Sequence, residues 1–384
     1  MKRTFLALAL ACAPTVAMAA DELKIGVITT LSGPQAALGK DLVDGMKLAL
    51  KHKGNKVGGR EVALTIGDDQ LKPDVAQQQF DRMLEKDKID LLAGLTFSNV
   101  LLAVAPRAFE AGMPVLGMNA GPSQVAGAQC NKLFFTSSWS NDNSDEATAQ
   151  YMNQAGIKKV VTLAPNYPAG KDKINGFKRF FKGELLAEIY TPLNQLDFAG
   201  ELAQIRQTQP EAVFIFYPGG LGVNFIKQFK GAGLTIPLYG DMNSFDQTIL
   251  PGVGDAAVGG KSAVFWSERM KSPQNDKFVA DFEADYGRIP SPYAAQAYDG
   301  IQLLDAALTA TKGSVKDKDA FRKAMLEAKF PALRGNFKLG NNGFPAQDWY
   351  LGEVVLDSKG RPVVEPKQKI VEGMRTSYDA ECKL

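Results

Sequence analysis

Residues able to do covalent chemistry are scarce in this chain of 384 residues. Its one histidine, His52, stands between Lys51 and Lys53 at the end of a predicted helix. A Ser-His-Asp triad, a Cys-His pair and the usual histidine-based metal sites all need a shielded imidazole. Among solvated lysines, His52 reads instead as a surface residue near a helix C-terminus. Asp68 and Asp69 would suit a general acid and base, yet aspartates at a strand end shortly before Pro73 usually serve turns and helix caps. Gly219, Gly220 and Gly222 follow a predicted strand as a phosphate loop would, but a lone pattern of this kind carries little, and no G-x-x-x-x-G-K-[ST] run occurs. No catalytic residue, metal or cofactor is expected, and the chain reads as a binder and not an enzyme.

The remaining chemistry is the capture of an anion by main-chain N–H groups. Leu31-Ser32-Gly33-Pro34, the stretch 94–99 and Asn119-Ala120-Gly121-Pro122-Ser123 each follow a predicted strand. Ser98 would begin a helix whose free amides and positive dipole end favour an anion, and the small residues at 119–121 would let a carboxylate reach the backbone. Facing loops would carry Tyr167, Tyr217, Asp241 and Met242, the tyrosines able to stack and hydrogen-bond at once, with Tyr293 near the start of a long helix. The candidate contacts are therefore Leu31, Ser98, Asn119, Ala120, Gly121, Tyr167, Tyr217, Asp241, Met242 and Tyr293. The bland alternatives are that Ser98 and Ser123 only cap helices and that Tyr217 is an ordinary strand-end aromatic.

Those loops need elements to hold them. From Leu23 the chain alternates short aliphatic runs with stretches of helical period, the pattern of βαβ units and parallel sheets. Strands are predicted over 23–29, 61–67, 89–93 and 114–118, with helices over 35–53, 73–86 and 99–111. The order repeats with strands over 159–164, 185–190, 212–216 and 236–239, and helices over 170–182, 199–209 and 222–232. A strand over 261–266, helices over 276–286, 292–311 and 319–327, and a closing hairpin over 348–356 and 368–374 follow. Two such runs imply two α/β lobes, one from 20–138 plus 266–347 and the other from 139–265 plus 348–384. The chain would cross between them near Ser138, Val264 and Asp348, and several parallel crossings permit bending while resisting separation. The polar stretch 137–143 matches neither period and marks the first boundary.

At the N-terminus Lys2 and Arg3 precede an apolar run from Phe5 to Ala11, and Ala17-Met18-Ala19 closes the segment. This is the form of a secretory signal over 1–19, cleaved before Ala20, and the residues ahead of Cys12 suit a lipoprotein signal poorly. No later stretch approaches the roughly 20 apolar residues of a membrane-spanning helix, so no direct membrane insertion is expected. Loss of Lys2 and Arg3 turns 44 basic and 42 acidic residues into 42 of each, a balance without a footprint for nucleic acid. Cys130 and Cys382 then remain, and in an oxidising compartment a disulfide tying down the C-terminal tail is expected, with free buried thiols as the alternative.

Taken in order, Ile25-Gly26-Val27 leading to Leu31-Ser32-Gly33-Pro34, Asp68-Asp69-Gln70 before Pro73, Gly94 to Ser98, Tyr167 followed by Gly170, and Tyr298-Asp299-Gly300 form a specific pattern. The chain resembles, over essentially its whole mature length, the type I periplasmic binding proteins of ABC transporters, in the branch that binds leucine, isoleucine and valine. The resemblance implies two Rossmann-like lobes with parallel-type sheets on a multi-strand hinge, monomeric in the periplasm, that close on a small carboxylate and deliver it to a membrane permease. It also implies that Ser98, Asn119 and Gly121 grip an α-carboxylate and that Tyr167 lines the cleft from the second lobe. Two positions depart from the amino-acid binders of this branch. Asp241-Met242 stands where they place a glutamate, and Pro218 or Leu221 where they place a tyrosine. A buried ammonium without an acidic partner is costly, so if Asp241 points away from the cleft an aromatic acid is expected ahead of a branched-chain amino acid. A soluble ligand-sensing module of the same fold is the alternative, against which stands a chain that ends at Leu384 without anchor or signalling domain.

Overall fold

The computed structural model describes residues 22–384, and the expected signal segment 1–19 lies outside the described residues. The first half runs β1 (Leu23–Thr29), α1 (Ala36–His52), β2 (Lys56–Val57), β3 (Arg60–Asp68), α2 (Pro73–Arg82), β4 (Leu91–Gly94), α3 (Ser98–Glu110), β5 (Val115–Gly117), α4 (Ser123–Ala126) and β6 (Phe134–Thr136). Next come α5 (Asn143–Gln154), β7 (Lys159–Pro165), α6 (Pro168–Phe180), β8 (Glu184–Thr191), α7 (Ala199–Thr208), β9 (Ala212–Ile215), α8 (Gly220–Gly231), β10 (Leu238–Gly240), α9 (Leu250–Val253) and β11 (Lys261–Val264). The chain ends with α10 (Pro273–Tyr286), α11 (Pro292–Ala310), α12 (Lys318–Glu327), β12 (Lys338–Leu339), β13 (Pro345–Leu356) and β14 (Pro362–Met374).

These strands form two sheets, ordered β2-β3-β1-β4-β5-β6 and β12-β13-β11-β10-β9-β7-β8, with β14 added to β13. Strands such as Leu91–Gly94 and Ala212–Ile215 are buried at every residue, because helices cover both faces of a parallel sheet and each strand reads as an unbroken apolar run. The sheets are mixed and not purely parallel: β2 pairs antiparallel with β3, and β13 pairs antiparallel with β11, β12 and β14. The order reverses between β1 and β4 in the first sheet and between β7 and β9 in the second. Loops at the carboxyl ends of strands that flank such a reversal diverge and leave a crevice.

After β11 the chain returns to the first sheet. A Cβ on Gly45 of α1 would lie 2.2 Å from the carbonyl oxygen of Ala294 on α11, so these helices pack backbone to backbone. Arg288 joins Asp41 at 2.6 Å and Asp44 at 2.5 Å, and Phe321 of α12 meets Phe135 of β6 edge-on, 5.8 Å between centroids. β13 then re-enters the second sheet beside β11. Where strands and connections cross, Arg334 is 7 % exposed and donates to Asp299 (3.0 Å), Gln347 (3.0 Å) and the carbonyls of Ser137 (2.6 Å) and Ser138 (3.2 Å).

Two expectations need correction. Residues 143–154, for which no element was predicted and whose first residue closes the polar stretch 137–143, form α5. Its first turns are buried although they carry Asn143, Ser144, Asp145 and Glu146, since lysine and arginine from α6 meet these acids and no apolar stripe is needed. His52 is not a free surface residue: its Nδ1 lies 2.9 Å from the Tyr298 hydroxyl and its Nε2 2.9 Å from Asp281, between α1, α10 and α11. Cys130 and Cys382 are joined by a disulfide with Cα atoms 5.6 Å apart, linking the segment before β6 to the tail that follows β14.

Candidate functional site

The loops that leave β4, β7 and β9 meet at one crevice, with walls from both sheets. Its wall comprises Thr96, Phe97, Ser98, Asn119 and Ala120 beside the first sheet, Trp139 and Asn141 in the crossing segment, and Tyr167, Ala169, Lys173, Phe216, Pro218 and Asn243 beside the second, with Leu38 of α1 and Tyr293 of α11 completing it. The cavity volume is about 20 Å³, room for roughly one water, so the walls must part for a larger molecule to enter. Contacts across it hold them together. Phe97 meets Tyr167 across it at 6.1 Å between centroids, and Tyr167 stacks on Phe216 of its own wall at 6.2 Å. Ser123 donates from its amide and hydroxyl to Asp172 at 3.0 and 2.7 Å, Gly220 N–H donates to Pro34 O at 3.3 Å, and Asn243 Nδ2 donates to the Tyr293 hydroxyl at 2.7 Å. A wider open groove between α7 and α8 (about 910 Å³) is bounded by helix shafts away from any strand end.

α3 begins without a side-chain cap, which leaves its first-turn N–H groups, unpaired within any helix, at the end that Ser98 presents to the crevice. The Ser98 hydroxyl does not cap the helix. It accepts from Asn141 Nδ2 at 3.0 Å, and Ser123 likewise spends its hydroxyl on Asp172.

Five of the sequence candidates stand on the wall: Ser98, Asn119, Ala120, Tyr167 and Tyr293. The other five do not. Leu31 N–H is spent on Asp68 Oδ1 (2.9 Å), within a turn that the two aspartates lace together. Gly121 N–H donates to Asn141 Oδ1 (3.1 Å), and Ala120 N–H donates to Leu95 O (3.0 Å). The 119–121 backbone is therefore not a free anion cradle, and Asn119 also turns its amide to Thr96 O (2.6 Å) and Gln296 (2.9 Å). Tyr217 is fully buried among Phe198 and Phe225, each 5.1 Å away between centroids, as the strand-end alternative has it. Met242 packs in the core, and Asp241 faces Lys173.

Sequence reasoning missed Phe97, Trp139, Asn141, Lys173, Phe216 and Asn243. A signal existed for Lys173: it follows Ala169 by four residues and shares the buried face of α6 with Ile174 and Phe177, where a lysine has no place without partners. Its Nζ donates to Asp241 Oδ2 and to Asn141 O, both at 2.7 Å, and lies 3.5 Å from Asp145. It also sits over the Phe216 ring at 4.7 Å and the Trp139 ring at 5.8 Å. Burial opposes the ammonium charge, but Asp145 and Asp241 outweigh it and hold the pKa above the usual lysine value. Burial raises Tyr167 and Tyr293, with nearby carboxylates adding to it, so both phenols are neutral.

Among the described residues, no group of three His, Cys, Asp or Glu side chains could hold a metal ion, and no helix is long and apolar enough to cross a membrane. Residues 22–361 match a family described as periplasmic binding protein. A Leu/Ile/Val-binding protein homolog of Brucella melitensis is 28 % identical over 355 residues, 89 % of this chain and 90 % of its own length. Two solved structures align over nearly their whole length. One, a solute-binding protein of an ABC transporter from R. palustris in complex with benzoate, has TM-score 0.89 and 33 % identity over 94 % of this chain and 99 % of that one. The other, a solute-binding protein from Rhodopseudomonas palustris BisB5 in complex with 3,4-dihydroxybenzoic acid, has TM-score 0.88 and 31 % identity over 93 % of this chain and 99 % of that one.

Proposed function

The chain belongs to the periplasmic binding protein family, and from that premise we propose that it captures an aromatic carboxylate between two closing lobes and delivers it to the permease of an ABC importer. The observation that carries this reading is the wall of the crevice: five aromatic rings, Phe97, Trp139, Tyr167, Phe216 and Tyr293, surround a space whose only charged side chain, among the described residues, is Lys173. A flat apolar ring stacks between such rings, and its carboxylate is served by the uncapped start of α3 and the Ser98 hydroxyl. Asn141, Tyr167, Phe216 and Asn243 join Ser98 as contacts in this reading, whereas Tyr217 and Met242 support the fold. The solved relatives that bind benzoate and 3,4-dihydroxybenzoic acid support the same class.

The lobes are 20–138 plus 266–347 and 139–265 plus 348–384, a division supported by β1 to β6 forming one sheet and β7 to β11 with β14 the other, while β12 and the start of β13 join the second sheet from the first-lobe side of that division. Export by the signal over 1–19 brings the mature monomer to the periplasm, where it binds and does not turn over its ligand. The test is a thermal-shift screen of unfolded and refolded, ligand-free mature chain, because a ligand that binds only the folded state raises the melting temperature. Benzoate or a hydroxybenzoate is expected to stabilise it. A shift with leucine, isoleucine or valine and none with the aromatic acids overturns the choice of ligand.

A further inference from the structure

Lys173 is the one formal charge on the crevice wall among the described residues, yet it is not a donor awaiting a ligand. Its ammonium is already engaged, donating to Asp241 and to Asn141 O at 2.7 Å and lying 3.5 Å from Asp145. Of the acids behind it, Asp241 and Asp172 are spent, while Asp145, whose two oxygens have no hydrogen-bond partner, is wholly buried and off the crevice wall. Asp241 Oδ1 accepts from Asn243 N–H at 2.8 Å while Oδ2 takes the lysine, and Asp172 accepts from Ser123 and Asn141. Among the described residues, no carboxylate stands on the crevice wall itself to receive a cation.

We propose that Lys173 sets the specificity of the site by supplying its own ammonium where a ligand's amino group would otherwise pair with Asp241, so that the protein accepts carboxylates without an amino group and rejects amino acids. This rests on the aromatic-carboxylate reading above and names the residue that enforces it. An incoming ammonium meets a like charge in a shielded place and finds no acid on the wall, and both effects act against binding. A carboxylate without the amino group meets only the favourable sign. Without the lysine, the same geometry turns Asp241 toward the crevice and makes an ammonium site.

Phenylacetate and L-phenylglycine differ by one amino group, and titration calorimetry on the mature chain reads the ratio of their affinities. The ratio in the unmodified protein is expected to be about 100-fold or more in favour of phenylacetate. In Lys173→Met it is expected to fall by about tenfold or more, with phenylglycine binding gained, as removal of a like charge beside an acid requires. Should the unpaired acids prevent folding of that variant, Lys173→Met/Asp241→Asn removes both charges and is expected to lower the same ratio through loss of phenylacetate affinity. An unchanged ratio in a variant with a native circular-dichroism spectrum overturns the role of Lys173 and leaves the ligand class standing. Equal binding of the two compounds by the unmodified protein does the same, and binding of neither, nor of benzoate, removes the ligand class and this role together.

Discussion

Ser98 is the residue on which ligand binding turns most directly. It reaches the crevice at the uncapped start of α3 and is paired only with Asn141. A hydrogen bond to a charged group contributes about 1.5–3 kcal/mol, so Ser98→Ala should weaken ligand binding by about tenfold or more, measured by calorimetry. The melting temperature without ligand should barely change. Buried acids give a second prediction. Burial lifts Asp246 to about 8 and Glu146 to about 7, and Glu268 to about 6. An acid whose pKa is raised on folding holds its proton more tightly in the folded state. Its contribution is full below the unfolded value and is lost as pH rises through the folded one. Stability should therefore decline between about pH 4 and 8, by several kcal/mol at about 1.4 kcal/mol for each pH unit by which a pKa is raised. Asp246→Asn, which keeps the oxygen that accepts from Thr248, should flatten that slope in melting curves.

The elements were legible wherever burial follows a period. β1 spans 23–29 both as predicted and as observed, since a strand buried at all but Lys24 and flanked by turn residues announces itself locally. α5 was not legible. Asp142, Asp145 and Glu146 occupy its buried start because Lys173 and Arg179 of α6 stand opposite, within 2.8 Å in the case of Arg179 and Asp142, and such compensation leaves no trace in one segment read by itself. Helix against helix, the close approach of α1 and α11 depends on Gly45, where a methyl group would lie 2.2 Å from Ala294 O. Gly45→Ala should force the helices apart and lower stability by about 1–3 kcal/mol, as overpacking does, which a urea titration would register as a lower midpoint at constant slope.

In the molecule as a whole, two sheets share several crossings and one covalent strap. The disulfide closes 252 residues of chain, and its removal by Cys382→Ser should cost about 2–4 kcal/mol, seen as a lower melting temperature under non-reducing conditions. The alternation of apolar runs with amphipathic stretches, and the glycine and proline positions between them, was enough to read two α/β lobes, because those signals act over a few residues and need no partner. A third of the crevice wall was legible for the same reason, Ser98 and Tyr167 each following a strand. The charge on that wall was not. Lys173 is 32 positions from Asn141 and 68 from Asp241, and whether a lysine on an apolar face is an error or a counter-ion is settled only by packing, which decides which of its neighbours are close enough to share its charge.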